Sequence, residues 1–432
     1  PFRYGSSISI GEFLNRRHTI IRVVGRILSG GQSSALVGQP RTEKTSTLLY
    51  LASLTLRQQL YGERSKDLIF SFVDSHMIGI GFTQAQFWEQ VLRPLLFKIE
   101  ASNAYARVRT QYENCRAANF SNFSLETLFR SLRRENLCFV LLIDEFDSLV
   151  NHQVLNCMEF FGGLRSFASR SDGALVLVIA SRQSIHELNT QTQSINPASS
   201  PFFNIFKEFS LGSFSETDTK LLLQRAGDVF SEDDRQAIRL IAGRHPYLLQ
   251  VAGSALWEAY EENLVEDARW SSMINSIYRE QRSHFLDTWR IWSPAMKKAF
   301  TTIALCETEE LLEGRTFLLE PFASSLNDMG PELRDLEAVG LIALNSESYA
   351  GWHIESKAMT WWLADELIKT IRSDQPFVNW LQAQEMESCL TNQEKENLVR
   401  LVSSVSTPLQ QGAAKLIEAF SEGLGKGLAG SI

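Results

Sequence analysis

A loop of nine residues, Gly38-Gln39-Pro40-Arg41-Thr42-Glu43-Lys44-Thr45-Ser46, constrains this chain more than any other stretch. It follows the apolar run Ser34-Ala35-Leu36-Val37 and precedes a helical pattern from Thr47 to Leu60. Strand, loop and helix in that order, with a spacing close to G-x-x-x-x-G-K-[ST], is the arrangement of a phosphate-binding loop. Gly38, Lys44 and Thr45 fit the pattern, and Glu43 replaces its second glycine. The backbone N–H groups of such a loop, with the helix N-terminus behind them, cradle anions. Residues 38–46 are therefore candidate nucleotide-binding positions, with Lys44 reaching the β- and γ-phosphates and the Thr45 hydroxyl sitting on Mg²⁺. A carboxylate at position 43 opposes this. At roughly 4 Å from a phosphate it adds about 1 to 4 kcal/mol of repulsion, depending on the dielectric, unless it points to solvent. A Cβ there also crowds the close approach that glycine permits. Nucleotide binding is expected to tolerate Glu43 better than fast hydrolysis does.

Two further apolar runs end in polar residues. Cys138-Phe139-Val140-Leu141-Leu142-Ile143 reads as a strand buried on both faces and ends in Asp144-Glu145-Phe146-Asp147. Carboxylates at the C-terminal end of a parallel strand face the crevice where such sheets bind ligands. Asp144 is placed to hold Mg²⁺, directly or through water, and Glu145 to activate a water molecule. The plain alternative is a solvated strand end. Ala174-Leu175-Val176-Leu177-Val178-Ile179-Ala180 ends in Ser181-Arg182. There Ser181 would sense the terminal phosphate and Arg182 would neutralise it; a surface ion pair explains Arg182 equally well.

The order phosphate loop, strand-Asp-Glu, strand-Ser-Arg resembles the additional-strand ATPases, the AAA+ and STAND groups. The leading segment Pro1-Phe2-Arg3-Tyr4-Gly5 … Phe13-Leu14-Asn15-Arg16-Arg17 is similar to the Phe-hydrophobic-Gly-Arg-Glu element that precedes the loop in STAND and origin-recognition-like ATPases. Arg16 matches its arginine, and Asn15 departs at the glycine. Ser181-Arg182 resembles the Thr-Thr-Arg of the NB-ARC branch. Gly243-Arg244-His245-Pro246-Tyr247-Leu248-Leu249-Gln250 resembles the STAND Gly-x-Pro element, with Pro246 matching and Arg244 where a glycine is usual. The resemblance implies that Arg16, Ser181, Arg182 and Pro246 join the nucleotide site and that Lys44, Glu145 and Arg182 carry catalysis. It also implies an ATP/ADP switch with Mg²⁺ that forms homo-oligomers and acts on an effector or partner protein, with bacterial defence or signalling as its setting. A nucleotide-locked, non-hydrolysing scaffold and a DNA-transaction ATPase are the alternatives.

The fold expected is an α/β P-loop NTPase core with a parallel sheet, followed by a helical lid and a winged-helix domain. The segments are a leading segment and helix over 1–30, the ATPase core over 31–212, the lid over 213–285, the winged helix over 286–375 and a helical or flexible tail over 376–432. The core should include a strand over Leu68–Asp74, a helix over Phe87–Ile99 kinked or broken at Pro94, a last strand over Phe203–Leu211 and a loop over Asn189–Pro201. Ser215 should cap a lid helix, with Asp218 three residues on. Ser293-Pro294 should start another helix, Gly340 should stop one, and Leu341–Ile354 should form a hairpin followed by a helix from Trp361.

With 432 residues, 44% of them hydrophobic, the chain has material for two or three domains. A net charge of −8 supplies no global field for nucleic acid. The hairpin region carries no Lys or Arg, which phosphate contacts require, so DNA is the weaker partner expectation and this region should pack on the nucleotide domain instead. Five scattered cysteines fit reduced thiols of a cytoplasmic protein. No apolar run is long enough for an ordinary transmembrane helix. His245 reads as structural first and as a nucleotide contact second. The tryptophans at 289, 292, 352, 361, 362 and 380 read as core, with a partner surface second. The tail reads as flexible, or as a segment meeting a partner or membrane through Ala414, Leu416, Ile417, Phe420, Leu424 and Leu428. Beginning on Pro1 rather than Met, the chain is expected to be a piece of a longer protein with a further domain ahead of it.

Overall fold

The computed structural model describes residues 1–5, 13, 16–193, 201–311, 320–346, 348 and 350–360, with isolated positions from 362 to 392. Asn15, Trp361, Trp380 and, apart from isolated positions, the tail expected from 376 lie outside the described residues. The chain divides into two compact units, Ser7–Leu211 and Gly212–Ile432 together with Pro1–Ser6.

The unit from Ser7 to Leu211 is built on five parallel strands, β1 (Ser34–Val37), β2 (Leu68–Asp74), β3 (Cys138–Asp144), β4 (Leu175–Ser181) and β5 (Lys207–Ser210). Their spatial order is β2-β3-β4-β1-β5, so β4 separates the strand before the phosphate loop from the strand that ends in Asp144. That intervening strand is the feature expected of an additional-strand ATPase. In β3 and β4 every residue is buried, as continuous apolar runs require of strands covered on both faces.

The two faces feed two separate cores, because neighbouring side chains on a strand point opposite ways. Leu36, Val140, Leu142, Val176, Val178 and Ala180 share one core with Ile20, Val23 and Ile27 of helix Arg17–Leu28 and with Leu48 and Leu51 of the loop helix. Ala35, Phe139, Leu141, Ile143, Leu177 and Ile179 face the other, against Phe87, Trp88, Phe129, Phe160 and Phe161. The functional ends of the strands are thereby fixed from both sides.

Local chemistry moved several expected boundaries. The helix after the loop runs Lys44–Ala52, and a separate one follows at Arg57–Tyr61. The break is at Ser53, whose Oγ accepts the Leu56 N–H at 3.2 Å and so competes with helix continuation. The helix expected over Phe87–Ile99 is broken, not kinked, into Gln84–Val91 and Arg93–Glu100. Pro94 sits in the first turn of the second, where its missing N–H costs nothing. β5 is shorter than Phe203–Leu211 because Phe202 and Phe203 are buried in an aromatic cluster; Phe203 lies 5.4 Å from Phe146 and 5.3 Å from Phe161. The expected loop from Asn189 is helical to Thr192, in a helix begun by a Ser184–Glu187 capping box.

The other unit contains helices Glu216–Leu223, Glu232–Ala242, Pro246–Glu261 and Glu266–Ile291, then Pro294–Leu311, Glu320–Ser325 and Gly330–Ala338. An antiparallel hairpin of β6 (Ile342–Leu344) and β7 (Trp352–Ile354) follows. Ser215 Oγ accepts the Asp218 N–H at 3.1 Å, the expected cap. Helix Glu266–Ile291 is continuous through residue 285, where the lid was expected to end. Buried Asp234 ties three of these helices together, accepting from Ser231 N–H at 2.9 Å, Tyr260 Oη at 2.5 Å and Trp270 Nε1 at 2.9 Å. Burial alone would raise its carboxyl, but these donors outweigh it and hold the group below the usual carboxylate range.

Of the tryptophans expected in the core, Trp352 is half-buried and three others are core residues. Trp289, Trp292 and Trp362 are buried, with ring centroids of Trp289 at 5.5 Å from Trp292 and 5.7 Å from Trp362. Phe2 belongs here too, stacked 5.5 Å from Phe230 and pressed on Gly253, where a Cβ would come within 2.5 Å of its ring. Arg244, the residue standing where a glycine was expected, reaches the hairpin end. Its Nη2 and Nε donate to the Glu355 carboxylate at 2.7 and 3.2 Å. His245 is the buried residue before the helix of Pro246, with its ring 5.8 Å from that of His284.

Candidate nucleotide site

β1 delivers the chain at Gly38, whose N–H donates to the Ser181 carbonyl at 3.1 Å. Only glycine fits there: a Cβ would lie 2.5 Å from the Leu211 carbonyl oxygen and 2.6 Å from Thr42 Oγ1. The loop then closes on itself, buried Thr42 donating its hydroxyl to the Gln39 carbonyl at 2.9 Å. Gln39 and Pro40 are half-buried and Arg41 is exposed. Arg16 braces the turn from outside, its Nη2 donating to the Thr42 carbonyl at 3.3 Å.

Arg41 and Glu43 both adopt the left-handed backbone region, with φ of 65° and 67°. Glu43 therefore takes the conformation that the pattern's second glycine supplies, and the helix begins right after it at Lys44. An L-residue in that region costs roughly 1–2 kcal/mol. Glu43→Gly is expected to raise stability in chemical denaturation by about 1 kcal/mol, the relieved strain less glycine's extra entropy in the unfolded chain. It should also tighten ATP binding in calorimetry by removing a half-buried carboxylate from the anion cradle. Unchanged affinity would mean that the Glu43 side chain has no electrostatic bearing on the site.

Lys44 is 5% exposed, and its Nζ donates to the carbonyls of Gly38 and Gln39, both at 2.9 Å. Thr45 Oγ1 donates to Asp144 Oδ2 at 2.6 Å, joining the loop helix to the end of β3 across the width of β4. Asp144 Oδ1 accepts the Glu145 N–H at 3.0 Å. Burial pushes the Lys44 ammonium below its usual range, and burial pushes the Asp144 carboxyl above its own against the Thr45 hydrogen bond. Both shifts mark charges held out of water. A phosphate would restore the first charge and a divalent cation the second. The donor set of one hydroxyl and one carboxylate suits Mg²⁺, which takes few protein oxygens and completes its shell with phosphate and water. Among the described residues there is no group of three or more His, Cys, Asp or Glu able to hold a metal ion. The fit thus depends on the nucleotide supplying oxygens.

Glu145 turns the chain sharply, with φ of 49°, so that Phe146 N–H returns to the Ala180 carbonyl at 2.8 Å. Its carboxylate meets Arg182 Nε at 3.0 Å. Ser181 is fully buried, and its Oγ accepts the Gln183 N–H at 3.0 Å. Ser46 is buried in the loop helix. The fold therefore assembles Gly38 to Ser46, Arg16, Asp144, Glu145, Ser181 and Arg182 around the C-terminal ends of β1, β3 and β4. Pro246 opens its helix in the other unit. Sequence reasoning gave no role to Asp147, whose Oδ1 accepts the Arg182 N–H at 3.2 Å. The acidic spacing Asp144-Glu145-Phe146-Asp147 was the available signal.

Residues 15–303, well over half of the chain, match the model of the novel STAND NTPase 2 family. The chain belongs to that family. This novel STAND NTPase is thus a P-loop protein of the STAND/AAA+ type, and membership implies nucleotide binding. Its fold is similar to a Walker-type ATPase of Pyrococcus abyssi, with 15% identity and a TM-score of 0.50 over 82% of this chain and 97% of that one. It also matches the ORC2 protein of Aeropyrum pernix in complexes with ADPNP and ADP, at 13% identity, TM-score 0.46, over 82% and 94% of the two chains. Drosophila ORC bound to DNA matches at 15% identity, TM-score 0.42, over 83% and 89%. No curated protein matches the novel STAND NTPase. Its four described cysteines are free thiols, and no helix among the described residues is long and apolar enough to cross a membrane.

Proposed function

We propose that this novel STAND NTPase is a switch that binds ATP or ADP with Mg²⁺, hydrolyses ATP and couples nucleotide state to oligomerisation or activation of a partner protein. The observation that carries the reading is the Thr45–Asp144 hydrogen bond of 2.6 Å beside the buried Lys44 ammonium, a metal-and-phosphate pair of the right chemistry at the mouth of the loop. Residues 38–46 would cradle the phosphates, with Lys44 on the β- and γ-groups; Thr45 and Asp144 would hold the metal. Held by the Thr45 hydroxyl and the Asp144 carboxylate, Mg²⁺ would supply positive charge against the phosphates. Glu145 would take the proton from a water as its oxygen attacks the γ-phosphorus, and ADP would leave with the bridging oxygen. Ser181 and Arg182 would read the γ-phosphate, and Arg16 would steady the loop. Pro246 would read the nucleotide from a lid over 213–285, and a winged helix over 286–375 would pass the state on. Defence or signalling and a cytoplasmic setting belong to the same proposal.

A nucleotide-locked scaffold is the second reading. The left-handed Glu43 favours it, because hydrolysis demands closer phosphate positioning than binding does. A DNA-transaction ATPase is the third and draws least support, since the hairpin over 341–354 carries no Lys or Arg.

Steady-state hydrolysis of Mg·ATP with and without duplex DNA separates the three, combined with light scattering in a non-hydrolysable analogue. The switch predicts turnover that DNA leaves unchanged and assembly with the analogue. Tight binding without turnover would select the scaffold. DNA-stimulated turnover, with salt-sensitive duplex binding, would select the third. Failure to bind any nucleotide would sink all of them.

A further inference from the structure

The chain passes between its two compact units twice, at Ser6–Ser7 and at Leu211–Gly212. The first passage exists because the leading segment docks on helices far along the sequence. Phe2 is 7% exposed and stacks on Phe230, with ring centroids 5.5 Å apart and planes 8° from parallel. Phe230 is itself flanked by the rings of Trp257 at 6.1 Å and Tyr260 at 5.7 Å. Behind the Phe2 ring stands Gly253, inside helix Pro246–Glu261, where a Cβ would meet ring carbons at 2.5 and 2.7 Å. Glycine weakens a helix interior, and what it provides here is the slot that the ring fills.

The next two residues extend the contact. The Arg3 N–H donates to Oε1 of buried Gln250 at 3.1 Å. The Tyr4 ring stands edge-on to Tyr247, with centroids 6.0 Å apart, and its hydroxyl donates to Glu280 Oε2 at 3.1 Å on helix Glu266–Ile291. Phe2, Arg3 and Tyr4 thus meet positions 253, 250 and 247 in turn, running antiparallel along one stripe of the Pro246 helix. Twelve positions after Tyr4, Arg16 Nη2 donates to the Thr42 carbonyl of the phosphate loop at 3.3 Å. One stretch of chain is therefore bonded to the Pro246 helix at one end and to the phosphate loop at the other.

A unit joined to its neighbour by one passage pivots about it, and a second tie removes much of that freedom. The second tie here is reversible. Burying a phenylalanine side chain shifts an equilibrium by about tenfold to a hundredfold, and a tethered segment that lets go returns at high effective concentration. We propose that residues 1–5 are a clasp on the aromatic slot of the Pro246 helix, and that its opening sets how readily that helix moves to release nucleotide. The inference rests on the switch reading above and adds a restraint on exchange that lies outside the nucleotide site.

Two readouts test it. Hydrogen exchange at the Arg3 amide, followed by NMR, reports whether the segment is docked. Displacement of a fluorescent ADP analogue by excess ATP in Mg²⁺, followed by stopped flow, reports nucleotide release. Phe2→Ala removes the anchor. Gly253→Ala fills the slot with a residue that suits a helix interior better, so the helix itself is kept. Each variant should speed Arg3 exchange and ADP release by about tenfold or more. The double variant should go no further than the larger single effect, since both changes open the same contact. Wild-type exchange at Arg3 in both single variants would overturn the clasp. Faster exchange with unaltered ADP release, or release effects that add in the double variant, would overturn its hold on the nucleotide while nucleotide binding stands. A wild-type protein that binds no ADP would overturn the switch reading and the inference with it.

Discussion

Lys44→Ala is expected to weaken ATP and ADP alike by about a hundredfold or more. A hydrogen bond to a charged group is worth up to about 3 kcal/mol, and each 1.4 kcal/mol is a factor of ten. The ammonium that would make it is buried at the centre of the loop, within hydrogen-bond distance of the Gly38 and Gln39 carbonyls. The fold should survive the change. Among the described residues Lys44 Nζ donates to the loop carbonyls of Gly38 and Gln39, and an alanine suits the first turn of a helix. Calorimetry shows the loss, and an unaltered thermal transition without nucleotide shows that it is local. Wild-type affinity in this variant would remove the phosphate loop from the binding site.

Glu145→Gln should have an effect of similar size on a different quantity. Turnover should fall by about 10²- to 10⁴-fold, the usual contribution of a positioned base, because an amide cannot take the proton. Nucleotide binding should persist or tighten. The contrast with Lys44→Ala is diagnostic: one variant loses affinity, the other loses rate while holding its substrate. Single-turnover kinetics with pre-bound ATP measures this directly. Comparable rates in wild type and Glu145→Gln would assign proton transfer to another group or to water alone.

The parts of this site that were legible in the sequence are those written in side-chain type. Gly38, Lys44 and Thr45 stand out because the chemistry allows few substitutes, and β3 and β4 because strands buried on both faces carry unbroken apolar runs. The parts that were not legible are written in the backbone. Nothing in the letter for Glu43 or Glu145 announces a left-handed conformation, since most residues there adopt other regions. Yet the first starts the loop helix and the second aims the carboxylate at Arg182. Arg182 was left undecided between phosphate and an ion pair, and the geometry shows the ion pair with a carboxylate of the site itself. Asp147 escaped notice because its partner is the main-chain N–H of Arg182 just past the end of β4, a contact that no spacing along the chain predicts. Ser53 ended a helix that periodicity alone would have continued, through a hydroxyl competing for a backbone donor.

The helix Glu266–Ile291 has 26 residues, and at 1.5 Å per residue it spans about 39 Å without a proline. Trp270 lies in its second turn, close to Tyr260 and Asp234, while Trp289 and the adjoining Trp292 sit at its far end beside Phe300. A rod of that length cannot tilt at one end alone. Any rotation imposed near Asp234 is carried to the far end, where indole rings buried against other aromatics change their surroundings. The protein thus contains its own optical lever, with natural fluorophores at both ends, and rearrangements of this unit are readable from intrinsic emission without adding a label.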